Sequence, residues 1–221
     1  MRAACTLCGN CIDTCLQDVY QRAGAKTDAA SLAHELKKDG VFFEESGGGV
    51  TFSGGEPALQ AEFVAATATR LQLAGIHTAL DTAGHVPWDH YETLLPSIDL
   101  FLYDVKFADP AEHKRWLGCD NSLILQNLDR LGSAGAALWI RMVIIPGIND
   151  SKRELHDRLQ IAASTPGVQR VDLLPYHPYG TGKYTLLDGS FSLPALRSPS
   201  GERMAAILDL AQSYLPATIG G

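Results

Sequence analysis

The chain has 221 residues, 46% of them hydrophobic and 19% charged, which supplies a full core and excludes a disordered tail or a collagen-like fibre. A formal net charge of −7 argues against a non-specific nucleic-acid binder, which needs a basic face. No run reaches the roughly 20 apolar residues of a membrane span, and Met1-Arg2-Ala3-Ala4 lacks the character of a secretory signal, so a soluble, cytoplasmic protein without a membrane or nucleic-acid partner is expected.

Along the chain, cysteines come first. Thr27 is then placed to cap a helix with Ala29, Leu32, Ala33 and Leu36 on its apolar face. A strand around Val50 to Phe52 runs into Ser53-Gly54-Gly55-Glu56-Pro57, followed by a helix with Leu59, Phe63, Ala66 and Leu71 at helical spacing, stopped by Gly75. Ile76 to Leu80 reads as a strand, Trp88 to Leu95 as a helix, and Asp99 to Val105 as a third strand. Helical patterns near Ala111 to Leu117 and Leu123 to Leu131 lead to a strand from Leu138 to Ile145. Asp150 or Ser151 caps a helix to about Ala163, and Val171 to Leu174 is a fifth strand. A Pro/Gly/Tyr loop from Pro175 to about Pro199 precedes a last helix from Ser200 to Tyr214. Strands alternating with helices mean βαβ units and a parallel sheet, either doubly wound or closed toward a barrel. The doubly wound option lacks its usual fingerprints, since no G-x-G-x-x-G follows a strand and Gly180-Thr181-Gly182-Lys183 has no upstream loop glycine.

Four of the five cysteines, Cys5, Cys8, Cys11 and Cys15, fall in one short run, while Cys119 stands alone. A secreted disulfide framework spreads its cysteines, so this run reads as metal ligands in a reducing compartment. The C-x-x-C-x-x-C-x-x-x-C spacing suits an iron–sulfur cluster, with zinc as the weaker alternative. Leu16 follows Cys15 where the ferredoxin pattern has proline, which makes Cys5, Cys8 and Cys11 the firmer ligands.

Polar residues cluster where parallel α/β folds bind ligands, at the C-terminal ends of strands. Glu56, Asp81, Asp104 with Lys106, and His177 each follow a predicted strand. Helix caps and turns account for isolated cases, but four strands out of five carry such a group. Arg141 lies inside an apolar strand, where a guanidinium needs a partner. Gly54 and Gly55 offer bare backbone beside them.

Five co-linear stretches make the chain resemble the glycyl-radical-enzyme activating enzymes of the radical S-adenosylmethionine (SAM) superfamily: Ser46-Gly-Gly-Gly-Val-Thr-Phe-Ser-Gly-Gly-Glu-Pro57, Gly75-Ile-His-Thr-Ala-Leu-Asp-Thr-Ala-Gly84, Asp99-Leu-Phe-Leu-Tyr-Asp-Val-Lys106, Trp139-Ile-Arg-Met-Val-Ile-Ile-Pro-Gly147 and Leu173-Leu-Pro-Tyr-His177. The resemblance implies a partial (β/α)6 barrel in which a 4Fe–4S cluster binds and reduces SAM. The resulting 5′-deoxyadenosyl radical takes hydrogen from a glycine of a partner glycyl radical enzyme, with electrons from a flavodoxin- or ferredoxin-type reductant. It implies that Gly54, Gly55 and Glu56 hold the methionyl amino end of SAM, and that Asp81, Asp104, Val105 and Lys106 line its sulfonium and carboxylate. Arg141 supports the pocket, His177 meets the adenosyl end, and Asp81 and Asp104 can hold a monovalent cation. Residues 1–24, with Cys5 to Cys15, resemble a ferredoxin-like insert for an auxiliary cluster, and 25–221 the barrel. The family's C-x-x-x-C-x-x-C run and first strand are not in this sequence, which shows five predicted strands against six. The expectation is a truncated activating enzyme, inactive as written. The alternatives are an iron–sulfur electron-transfer or binding module, and a zinc-stabilised barrel hydrolase.

Overall fold

The computed structural model describes residues 5–6, 8–17, 19–20, 24–178 and 196–220. Among the described residues six strands form one sheet, parallel throughout and in sequential order: β1 (Gly49–Phe52), β2 (His77–Thr82), β3 (Leu100–Asp104), β4 (Leu138–Ile144), β5 (Val168–Pro175) and β6 (Ala217–Ile219). Helices α1 (Asn10–Asp13), α2 (Ala29–Leu36) and α3 (Gly40–Ser46) precede β1. The crossovers carry α4 (Ala61–Gln72), α5 (Trp88–Leu94), α6 (Pro110–Leu117), α7 (Ser122–Ser133), α8 (Lys152–Ser164) and α9 (Gly201–Gln212). Right-handed crossovers between sequential parallel strands place their helices on one face, so the architecture is a partial barrel and not a doubly wound sheet.

Strand alternation sorts the side chains between the two faces. On β4, Leu138, Ile140, Met142 and Ile144 are fully buried and join Val50, Phe52, Leu80, Phe101, Tyr103, Val171 and Leu173 in the helix-packed core. Trp139, Arg141 and Val143 stand half-buried on the other face, in register with Arg170, Asp172 and Leu174 of β5. That second face also carries Thr51, Ala79, Asp81, Leu102 and Asp104. A cavity of about 410 Å³ opens at the N-terminal end of the strands, lined by Gly49, His77, Leu100, Ala137 and Gln169 among others, away from the C-terminal tips.

Several local expectations shift. Asp28, not Thr27, caps α2, its carboxylate accepting from Ala30 N and Ser31 N, because Asp28 is the extended residue immediately before the first helical one. Ser151 caps α8, while Asp150 instead accepts from Gly147 N in the preceding turn. Leu59 is exposed, since the helix entry at Pro57–Gln60 is a tight turn that rotates it away from the core. The sixth strand, β6, follows α9 where no strand is predicted. The expected loop from Pro175 to Pro199, with Gly180 to Lys183, lies mostly outside the described residues.

Candidate active site

The parallel strands bring their C-terminal ends to one edge, and a row of charged side chains crosses it on the open face. Arg141, opposite Asp104 in the β3–β4 register, is the hub. Its Nη1 lies 2.7 Å from Asp81 Oδ2 on β2, and its Nε 3.3 Å from Asp104 Oδ1 on β3. Lys106 Nζ completes the row at 2.8 Å from Asp104 Oδ2, and Ser53 Oγ donates to Asp81 Oδ2 at 3.0 Å. The partner required by a guanidinium inside an apolar strand is thus two carboxylates from two neighbouring strands. All four charged side chains retain partial solvent access, between 18% and 31%, so the row is reachable by a ligand.

Above the row, Ser53 leads into Gly54, whose φ of 132° lies in the region that favours glycine. A Cβ on Gly54 or Gly55 would meet nothing within 4 Å, so open space faces this backbone. Glu56 turns the other way. Its carboxylate accepts from Ala58 N at 3.1 Å, Thr82 Oγ1 at 2.9 Å and Ala83 N at 2.8 Å, tying the Gly-Gly turn to the tip of β2. Thr82 Oγ1 also meets the Tyr91 hydroxyl at 2.8 Å, and burial pushes that phenol far above its usual range, so it stays protonated. Val105 is buried in the helix-packed core, and only its backbone reaches the row, donating to Arg141 O at 3.0 Å. His177 stands exposed at the same edge, just past β5, next to Tyr176, whose N–H donates to Ile144 O. Direct contacts therefore join Asp81, Asp104, Lys106 and Arg141, with Gly54 and Gly55 one residue from Ser53. Glu56 meets the site through its turn, and His177 shares its rim.

A second layer of residues, unanticipated from the sequence, sits beneath the Lys106 loop. Fully buried Asn149 donates from Nδ2 to Lys106 O (3.1 Å) and Val143 O (2.9 Å), while its Oδ1 accepts from Ile145 N (2.8 Å). Fully buried Arg158 donates to Asn149 O at 2.6 Å and Val143 O at 3.3 Å, and lies 3.5 Å from Glu154 Oε1. Burial pushes its guanidinium down to about 10 against the pull of Glu154 and Asp150. Burial likewise raises Glu154, whose Oε1 accepts from Ala108 N at 2.6 Å. On β5, buried Asp172 accepts from Arg170 Nη2 (3.2 Å), pairs with its Nε (2.8 Å) and accepts from Thr218 Oγ1 (2.9 Å). A charge within an apolar strand is the signal that pointed to Arg141, and it could have found Asp172 as well.

At the N-terminus, Cys5, Cys8, Cys11 and Cys15 take part in no disulfide, and the first three are exposed. The Asn10 N–H and the Thr6 hydroxyl lower the Cys8 pKa, and Val19 N donates to Cys15 Sγ at 3.3 Å. Among the described residues, no three His, Cys, Asp or Glu side chains are gathered as a metal site. No helix among them is long and apolar enough to cross a membrane.

The model of the Radical SAM superfamily matches residues 3–159. The chain is 37% identical to the trans-4-hydroxy-L-proline dehydratase activating enzyme of Clostridioides difficile, over 90% of its own length and 67% of that protein's. It is 33% identical to the pyruvate formate-lyase 2-activating enzyme of Escherichia coli (strain K12), over 99% of its length and 76% of the relative's. The chain belongs to the glycyl-radical-enzyme activating enzymes. A solved domain of a pyruvate-formate lyase-activating enzyme from Bacteroides vulgatus ATCC 8482 superposes with a TM-score of 0.66 at 31% identity, over 79% of this chain and 99% of that one. These relatives decide between an activating enzyme and a stand-alone iron–sulfur module or barrel hydrolase, in favour of the first.

Radical SAM membership carries a 4Fe–4S cluster and SAM. The strand-tip row offers a lysine ammonium, two carboxylates and open backbone, the kinds of group that a ligand with an ammonium, a carboxylate and a sulfonium calls for. The cluster that reduces SAM is not matched by these 221 residues, which contain no C-x-x-x-C-x-x-C run, so no electron-transfer step at SAM is assigned to a residue.

Proposed function

We propose that the strand-tip row is the SAM pocket of a glycyl-radical-enzyme activating enzyme. The observation that carries the reading is the Arg141 bridge between Asp81 and Asp104, with Lys106 beside it and the bare Gly54-Gly55 turn one residue from Ser53. In this reading the backbone of Gly54 and Gly55 receives the methionyl ammonium, and Glu56 contributes by fixing their turn. Lys106 attracts the ligand's carboxylate, the Val105 backbone lines that region, and Asp81 and Asp104 face the sulfonium, with Arg141 holding both acids in place. His177 closes the adenosyl end from the β5 tip. A monovalent cation at Asp81 and Asp104 would share those acids with Arg141. Bound and reduced, SAM supplies the radical that removes a hydrogen atom from a glycine of a partner enzyme.

We further propose that residues 1–24 form a ferredoxin-like module in which Cys5, Cys8, Cys11 and Cys15 hold an auxiliary 4Fe–4S cluster. Cysteines outside any disulfide, the lowered Cys8 pKa and the ligand spacing support this, and binding requires the segment to close around the metal. A flavodoxin- or ferredoxin-type reductant and a cytoplasmic, anaerobic setting suit such a cluster.

The test is equilibrium dialysis of SAM against the chain and its variants. Lys106→Ala and Asp81→Asn are expected to weaken SAM at least about tenfold, a loss of roughly 1.4 kcal/mol or more. Unchanged affinity in both, or no SAM binding by the unaltered chain, would refute the pocket.

A further inference from the structure

Lys106 sits on the five-residue connection 105–109 between β3 and α6, which has no regular structure of its own, yet the carbonyls of Lys106, Phe107 and Ala108 are all bonded. The Lys106 carbonyl accepts from Asn149 Nδ2, and the carbonyls of Phe107 and Ala108 accept from Asn121 Nδ2 at 2.9 and 3.0 Å. Ala108 N donates to Glu154, and Val105 N to the Arg141 carbonyl. Asn149 is the point where this turn meets β4, since the same amide donates to Val143 O and accepts from Ile145 N. Arg158 then anchors Asn149 by its own carbonyl.

Such an arrangement is expensive. Burying a guanidinium and a carboxamide is costly even with most polar atoms matched, as here. Both Asn149 amide atoms and Arg158 Nη1 and Nη2 are hydrogen-bonded, whereas Arg158 Nε has, among the described residues, only Glu154 Oε1 at 3.5 Å. A buried polar network gives one geometry in return. Holding a loop in place needs only apolar packing. Setting the peptide plane of one lysine, whose ammonium must lie against Asp104, needs hydrogen bonds at defined carbonyls.

We infer that Asn149 is a positioning residue for the SAM pocket, acting through the Lys106 peptide to place the Lys106 ammonium, with Arg158 holding Asn149 in turn. This rests on the SAM reading above. The side chain touches no ligand, and its effect is transmitted through one backbone carbonyl.

A double-mutant cycle separates this role from a purely structural one. SAM dissociation constants are measured by equilibrium dialysis for the full chain, Asn149→Ala, Lys106→Ala and the double variant, with a thermal melt of each. Asn149→Ala is expected to weaken SAM about tenfold, close to the loss in Lys106→Ala, and to weaken it no further in the Lys106→Ala background. If Asn149→Ala does not fold, Asn149→Asp replaces it, being the same size, keeping the acceptor for Ile145 N and removing the donor to Lys106 O. An unchanged affinity in the Asn149 variant, or losses that multiply in the double variant, overturns the inference while leaving the SAM pocket standing. Absence of SAM binding by the unaltered chain overturns the pocket itself, and this inference with it.

Discussion

Replacing Glu56 by alanine probes the tie between the Gly-Gly turn and β2. The substitution removes three acceptor contacts at once, to Ala58 N, Thr82 Oγ1 and Ala83 N. The Thr82 hydroxyl keeps Tyr91 and Gly84 N as partners, so its loss is small. Ala58 is buried, and losing the cap on its N–H costs about 1 kcal/mol. The charge-assisted bond to Ala83 N contributes roughly 1–3 kcal/mol more. The sum, about 2–4 kcal/mol, corresponds to a fall in Tm of roughly 5–15 °C for a chain of this size. Calorimetry or circular dichroism reads that shift, and Glu56→Gln, which keeps one acceptor oxygen, should lose about half of it. SAM dialysis on the glutamine variant then tells a turn-holding role from a direct one. If Glu56 works through the turn, Glu56→Gln retains most of the affinity. An alanine variant that melts with the unaltered chain, or a glutamine variant of native stability that no longer binds SAM, would refute the reasoning.

Three further outcomes follow from the same geometry. Asp172→Ala leaves Arg170 and Thr218 without their shared acceptor and should cost about 2–4 kcal/mol, read as a lower urea midpoint, with early hydrogen exchange along β6. Gly84→Ala combines a φ of 80° with a Cβ placed on the Tyr103 hydroxyl, which is engaged with Ile124 O, and should cost about 2–5 kcal/mol. Asp99 is pushed up by burial, but bonds from the Thr78 backbone, the Thr78 hydroxyl and Gln72 outweigh it and hold the carboxyl below its usual range. Its stabilisation is therefore present above about pH 4 and lost as pH falls through the lower folded value, so Asp99→Asn should show a flatter acid limb in urea melts at stepped pH.

The sheet was legible because each of its first five strands is an apolar run with a punctuation of glycine, proline or an ionisable residue at its end. β6 was not, since three residues squeezed between Pro216 and Gly220 carry too little pattern to stand apart from the end of α9. The need for a counter-charge at Arg141 could be read from the chain, but not which acids supply it, because that depends on the stagger of β2, β3 and β4. Glu56 shows the limit more sharply: its place after a strand suggests a ligand, while its orientation toward Thr82 and Ala83 depends on how the turn is wound. Arg158 was hidden altogether. With Glu154 four residues before it, it reads as an exposed helix pair, and only the packing of α8 under β4 buries it and turns its donors onto carbonyls.

In the proposed reading, the charged tips of β2, β3 and β4 and the bare turn after β1 form one pocket for an adenosyl sulfonium. A crystal structure of the chain soaked with SAM tests it most directly. The methionyl ammonium is expected against the Gly54-Gly55 backbone and the carboxylate within hydrogen-bond reach of Lys106. Ligand density confined to another face, with the Asp81–Arg141–Asp104 row untouched, would contradict it.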